Sequence, residues 1–286
     1  MSSLSRSILP VLWSALLAFL ITLFASGAWV ALLIGNISTT PAVPWSVPLM
    51  ALILWAMWQY LGGRWGPRST SETRHRYLRA RPVPLQLFAW SLVFGVLAIV
   101  ALAGYWIVMF QLFKMPGNVI PDYSGYPVLT VVPVLVMASL VAPLSEEPAF
   151  RGYAQSILEG AFRGPVVPVT ISSVLFALAH VTQGFLLPKL FVYFLVGLAF
   201  GGIAYLTNSI LPAIPVHILG DLTFFTLVWP FDTQRPLVWD TGANMEFWMR
   251  VGQALIFTVL ALLAFRQLAR TARRLQAAES IGIVPA

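Results

Sequence analysis

The amino-acid sequence predicts an all-α fold, a polytopic membrane bundle of about eight transmembrane helices. Hydrophobic residues make up 59% of the chain and charged residues only 9%. Ordinary soluble domains run at about 45–50% and about 25%. A mean hydropathy of +0.83 over 286 residues is more than one anchor could give a soluble protein. The apolar residues also come in long unbroken runs. A β-barrel would instead show alternating segments of roughly ten residues.

The first run, residues 8–34, follows Arg6. It exceeds the roughly 7–15 apolar residues of a secretory signal, so an uncleaved first span is expected. Further spans are expected near 42–61, 86–110, 128–148, 165–183, 188–207, 212–229 and 247–265. Proline and glycine punctuate the joins: Pro41 and Pro44, Gly62 and Gly63, Pro82 and Pro84, Pro116 and Gly117, Gly164 and Pro165, and Pro188. There is no internal repeat and no soluble domain. A single membrane domain, residues 1–286, is expected, with its motif-bearing core at about 128–229.

Charge sets the expected orientation. The loop 62–84 holds Arg64, Arg68, Arg74, Arg76, Arg79 and Arg81 against one acid, Glu72. The C-terminal tail, which could form a short interfacial helix, holds Arg266, Arg270, Arg273 and Arg274. An even number of spans puts both on the side of Arg6, which is therefore expected to be cytoplasmic. The opposite loops hold Lys114, Lys189 and Arg235 and the acids Asp122, Asp232 and Asp240. The expected setting is a multi-pass protein with both termini cytoplasmic, in the inner membrane if the source is bacterial. Trp45, Trp65, Trp229 and Trp239 fall near span ends, as interfacial anchors should.

The absence of cysteine excludes disulfides, thiol catalysis, iron–sulfur clusters and Cys-rich zinc sites. The net charge of +7 comes from bases at span ends, so membrane lipids are expected partners and nucleic acid is not. The "GLAFGG" run at 197–202 supplies small residues for close helix packing. No strand precedes it, so it is not a dinucleotide fingerprint.

Against this apolar background, Glu146, Glu147, Arg151, His180, His217 and Asp221 fall within spans, whereas His75 lies in the basic loop. An ionisable group at mid-bilayer costs about 2.5–3.5 kcal/mol on insertion scales, so such a set marks a site. Glu147 and Arg151 are four residues apart and can pair on one helix face, with Glu146 turned about 100° away. Glu146 and His180 lie equally far from the join at Arg163, about 25 Å at helical rise, so they share a depth. His217 and Asp221 are again four apart, and Pro212 and Pro215 are expected to put His217 in a first helical turn. Unsatisfied N–H groups there attract negative charge. Carboxylate, imidazole and oxyanion donors suit water activation. The same side chains could instead hold a divalent metal such as zinc. With neither H-E-x-x-H nor cysteine, no metal is favoured; if one is bound, Glu146, His180, His217 and Asp221 are the candidate ligands.

"SEEPAFRG" at 145–152, "FALAH" at 176–180 and "HILGD" at 217–221 resemble, in order, the E-E-x-x-x-R, F-x-x-x-H and H-x-x-x-N/D motifs of the CAAX-protease and bacteriocin-processing (CPBP, or Abi) intramembrane proteases. The resemblance implies a membrane endopeptidase acting on a peptide or membrane protein. It implies Glu146 as general base and His180 as the group that orients the water. His217 and Asp221 would stabilise the oxyanion or ligate a metal, Glu147 and Arg151 would form a structural ion pair, and Phe176 would pack. Pro148, directly after the two glutamates, departs from a regular helix and bears on the aim of Glu146. Two other readings use the same residues: a catalytically silent scaffold or bacteriocin-immunity protein, and a proton-coupled transporter. The inverted repeats expected of a transporter are not found.

Overall fold

The computed structural model describes residues 3–118, 123, 125–183 and 186–280, and all regular structure among them is helical. Asp122, expected in an outer loop, lies outside the described residues. Helix α1 (Ser3–Thr39) leads through a tight connection into α2 (Ser46–Leu61). One side chain sets that connection. Asn36 Nδ2 donates to the carbonyls of Thr40 (2.9 Å) and Val43 (2.8 Å), and its Oδ1 accepts from the Ser46 N–H (2.9 Å). The short α3 (Ser71–Leu78) precedes α4 (Leu85–Leu112). Then come α5 (Val128–Glu146), a π-helical segment (Glu147–Ala154) and α6 (Gln155–Ala161). Helices α7 (Val166–Ala179), α8 (Leu187–Thr207) and α9 (Ala213–Thr223) follow. A second π-helical segment (Phe224–Val228), the single turn α10 (Val238–Thr241) and α11 (Met245–Ser280) complete the chain.

Six helical stretches are long and apolar enough to cross a membrane: Ile8–Thr39, Leu85–Leu112, Val128–Ala161, Leu187–Thr207, Ala213–Gln234 and Met245–Ala278. The other two expected spans are the shorter apolar helices α2, with 16 residues, and α7, with 14. At helical rise they reach about 24 and 21 Å, short of a hydrocarbon core of about 30 Å. The arginine-bearing tail is not a separate interfacial helix, because α11 runs unbroken into it.

Close approaches lock the bundle where small residues allow them. A Cβ on Gly197 of α8 would stand 2.7 Å from the Ser173 Cβ of α7, and one on Gly104 of α4 would stand 2.9 Å from the Ala254 nitrogen of α11. Gly201 and Gly202 lie equally tight against Val169 and Phe265, so the "GLAFGG" run is a packing seam.

The arginine loop is only partly a charge marker. Arg64, Arg68, Arg76 and Arg81 are exposed, but Arg74 and Arg79 are buried. Arg74 donates to the carbonyls of Tyr60, Trp65 and Pro67, closing the loop on itself. Arg79 ends α3 in the left-handed region, with φ 54°. That conformation is unusual for a residue with a Cβ. Its guanidinium holds it there, reaching the Glu159 carboxylate (3.2 Å) and the Ala204 carbonyl (3.1 Å), while its own carbonyl accepts from Ile210. Lys189 and Asp232 are likewise buried rather than free in loops. Lys189 Nζ donates to Asn118 Oδ1 at 2.7 Å, and Asp232 accepts from the Trp106 indole at 2.9 Å. Trp229, half-buried, packs against Trp106, Phe224 and Phe225.

Candidate active site

The site begins with two prolines. Pro143 lies inside α5, and Pro148 follows Glu146 and Glu147. Pro148 has no N–H to give the carbonyl four residues back, which belongs to Leu144. The Trp58 indole supplies the missing donor at 2.7 Å. From Glu147 the backbone winds as a π-helix, a form concentrated at functional sites. All residues of Glu147–Ala154 are buried. The Phe150 carbonyl in this segment accepts from Ser172 Oγ at 2.8 Å, which ties the segment to α7.

Winding through this segment places the two glutamates differently. Glu147 Oε1 lies 3.1 Å from Arg151 Nη1 and 2.9 Å from His217 Nδ1, so one carboxylate oxygen joins the first motif to the third. Because the carboxylate can only accept, His217 Nδ1–H donates, and this fixes the ring. Glu146 turns away from that pair. Its Oε2 has no hydrogen-bond partner and stands 3.8 Å from His217 Nε2. Asp221 approaches the same nitrogen, Oδ1 at 3.7 Å, and its Oδ2 is also unpartnered. Both separations exceed a direct hydrogen bond.

His217 is not in a first turn. Helix α9 starts at Ala213, so Pro215 falls at its third position, where a missing N–H costs nothing, and His217 follows in the second turn. The free amides of that helix start therefore do not surround the imidazole.

His180 caps the C-terminal end of α7. Its Nδ1 lies 2.8 Å from the Phe176 carbonyl and must donate to it. In the neutral ring that leaves Nε2 as an acceptor. Tyr193 of α8 stacks on the ring, centroids 4.0 Å apart and planes 23° from parallel. Phe176 is buried between the motifs, its face 4.2 Å from the Arg151 guanidinium carbon and its centroid 4.7 Å from that of His180. It packs, and its face also offsets part of the cost of burying a cation.

Glu146, His180, His217 and Asp221 line one cavity of about 190 Å³, whose remaining walls are mostly apolar. Phe176 also lines the cavity, whereas Glu147 and Arg151 lie behind it. The shared depth of Glu146 and His180 thus becomes a shared cavity. Tyr193, Trp106 and Trp229 also line it, and nothing in their spacing distinguished them from core aromatics. Of these three, Tyr193 carried a hint, a hydroxyl in a mostly apolar helix that needs a partner. Among the described residues no three His, Asp or Glu side chains converge as ligands of one ion.

Fold and site together define a helical membrane protein that encloses carboxylates and imidazoles within its bundle. Residues 128–223 match the family model of the type II CAAX prenyl endopeptidases, Rce1-like, consistent with the CPBP family of intramembrane proteases. That match spans α5 to α9 and contains all three motifs. No curated protein and no solved structure matches the chain.

Proposed function

We propose that the protein is an intramembrane endopeptidase that hydrolyses a peptide bond of a membrane-associated peptide or protein with a water activated by Glu146. The supporting observation is the meeting of Glu146, His180, His217 and Asp221 around one cavity, with Glu146 Oε2 and Asp221 Oδ2 unpartnered. A water between Glu146 and His180 donates one proton to each acceptor. As its oxygen attacks the carbonyl carbon, Glu146 takes the proton, the C–O bond forms and the carbonyl π pair moves onto oxygen. His217, held as an imidazolium with Nδ1–H on Glu147 and with Glu146 and Asp221 near Nε2, donates its Nε2–H to that oxyanion, and Asp221 orients the donor. Collapse of the intermediate breaks the C–N bond, and Glu146 returns its proton to the leaving amine.

Glu147 and Arg151 position this machinery. Glu147 holds His217 Nδ1, and Arg151 neutralises Glu147. A divalent metal is the alternative activator. We favour a metal-free site because no three of these side chains converge as ligands of one ion among the described residues; the bond from His217 Nδ1 to Glu147 suits either reading, since it leaves Nε2 available. The exposed arginines of the 62–84 loop and tail support a topology in which both termini are cytoplasmic.

The test uses purified, reconstituted protein and a membrane peptide that the wild type cleaves. Glu146→Gln keeps the shape and removes the base, so cleavage should fall at least a thousandfold with folded yield unchanged. Wild-type turnover in that variant would end the assignment. Chelation followed by elemental analysis addresses the metal: activity should persist, and loss of activity that zinc restores would move His180 and His217 into a ligand set.

A further inference from the structure

On the arginine-rich end of the bundle, away from the catalytic cavity, a groove of about 1070 Å³ opens between α1, α3 and α6. Its two walls differ in chemistry. One is apolar: Leu9 and Trp13 belong to the first turns of the long span Ile8–Thr39 and are 57% and 51% exposed, and Ile157 of α6 continues the surface. The other wall carries Arg76 and Arg81, both exposed, with the buried Arg79 behind them. Arg79 is already matched by Glu159 at 3.1 Å, so its charge is spent inside the protein. Arg76 and Arg81 have no acid partner among the described residues. Two further polar groups of this wall, Arg79 Nε and the Ser156 hydroxyl, lack hydrogen-bond partners.

We propose that this groove is a binding site for an anionic glycerophospholipid. Its phosphodiester sits between Arg76 and Arg81, and an acyl chain runs along Leu9, Trp13 and Ile157. Three observations select this occupant. The excess charge is positive, as a phosphate requires. The cations lie at the end of a span and beside an exposed tryptophan, the level at which headgroups sit. The apolar wall continues directly into the membrane-facing surface of α1, which a free phosphate would leave unused. The site adjoins the catalytic segment, because Arg79 Nη1 also reaches the Arg151 carbonyl at 3.5 Å. It does not depend on the protease reading.

The full-length protein, delipidated in detergent, is titrated with phosphatidylglycerol or phosphatidylcholine of matched chains, and bound lipid is counted by native mass spectrometry. One phosphatidylglycerol should be retained at least tenfold more tightly than phosphatidylcholine. The double variant R76Q/R81Q should lower that affinity about thirtyfold, since each base near an anionic headgroup contributes about fivefold, and R76K/R81K should stay within threefold of wild type. If the glutamine variant does not fold, W13A takes its place and should lose at least fivefold. Equal retention of the two lipids, or unchanged affinity in the glutamine variant and in W13A, overturns the site. Displacement of the lipid by millimolar inorganic phosphate overturns the lipid as occupant.

Discussion

Residues 146–154 and residues 255–263 invert each other. The first stretch carries two carboxylates and an arginine and is buried throughout. The second carries no charge, yet Leu255, Ile256, Val259, Leu262 and Leu263 of α11 all stand exposed. In water the first would be an outer face and the second a core. Here the bilayer is the solvent, and lipid tails are as apolar as leucine, so exposing leucine costs nothing. Exposing Glu147 or Arg151 would cost a charge in hydrocarbon, and the fold therefore turns them inward and pairs them. Apolar exposure marks the boundary with lipid, and polar burial marks the site.

The hardest way to break that contrast is to unpair the buried side. Arg151→Ala leaves Glu147 buried without its guanidinium, with only the His217 N–H against it, and should destabilise the protein by about 3–5 kcal/mol. Folded yield and thermal stability in detergent would fall, and normal values would mean the pair is not structural. The exposed side gives the mirror experiment. Leu262→Arg on α11 should cost about 2.5–3.5 kcal/mol of insertion at mid-bilayer, whereas Leu262→Ala should change little. Insertion assays in microsomes distinguish the two, and equal behaviour would show that this face is covered by protein rather than lipid.

A smaller effect sharpens the account of the π-helical segment. Trp58→Phe removes the indole donor from the Leu144 carbonyl and should cost about 1–3 kcal/mol. In a Pro148→Ala background an N–H is restored to the chain, so the same substitution should cost less. A double-mutant cycle with no coupling would reject the link between Pro148 and Trp58. The smallest expected effect concerns Tyr193. Tyr193→Phe keeps the ring stacked on His180 and should hold kcat/KM within about threefold, while Tyr193→Leu, which removes the stack, should lower it about tenfold by misplacing the imidazole.

Much of this architecture was legible before the fold was known. Composition and run length alone dictate helices in a membrane, because backbone polar groups in hydrocarbon must bond within their own segment. The spacing of Glu147 and Arg151 announced their pairing, and the three motifs marked the groups that line the cavity. Burial at helical joins was not legible. Nothing in the arginine loop separates Arg74 and Arg79, which the chain folds around, from Arg76 and Arg81, which face outward. Lys189 and Asp232 read as loop charges until Asn118 and Trp106 were found beside them.

The sequence by itself determined the solvent, the helical class of the fold and the six ionisable residues within the apolar runs, since each follows from local composition and the cost of charge in lipid. The i, i+4 spacing also set Glu147 against Arg151, and only the tertiary structure decided which distant groups meet the two glutamates. Glu146 and Glu147 are neighbours of the same type, and their roles separate because the helical winding from Glu147 onward turns one carboxylate onto Arg151 and His217 and leaves the other open to the cavity. That division depends on His217 arriving from α9, 70 residues away along the chain, and on Trp58 occupying the carbonyl that Pro148 frees. Neither partner is encoded in the spacing of the motif itself, because a local sequence fixes helical phase but not which distant side chain meets it.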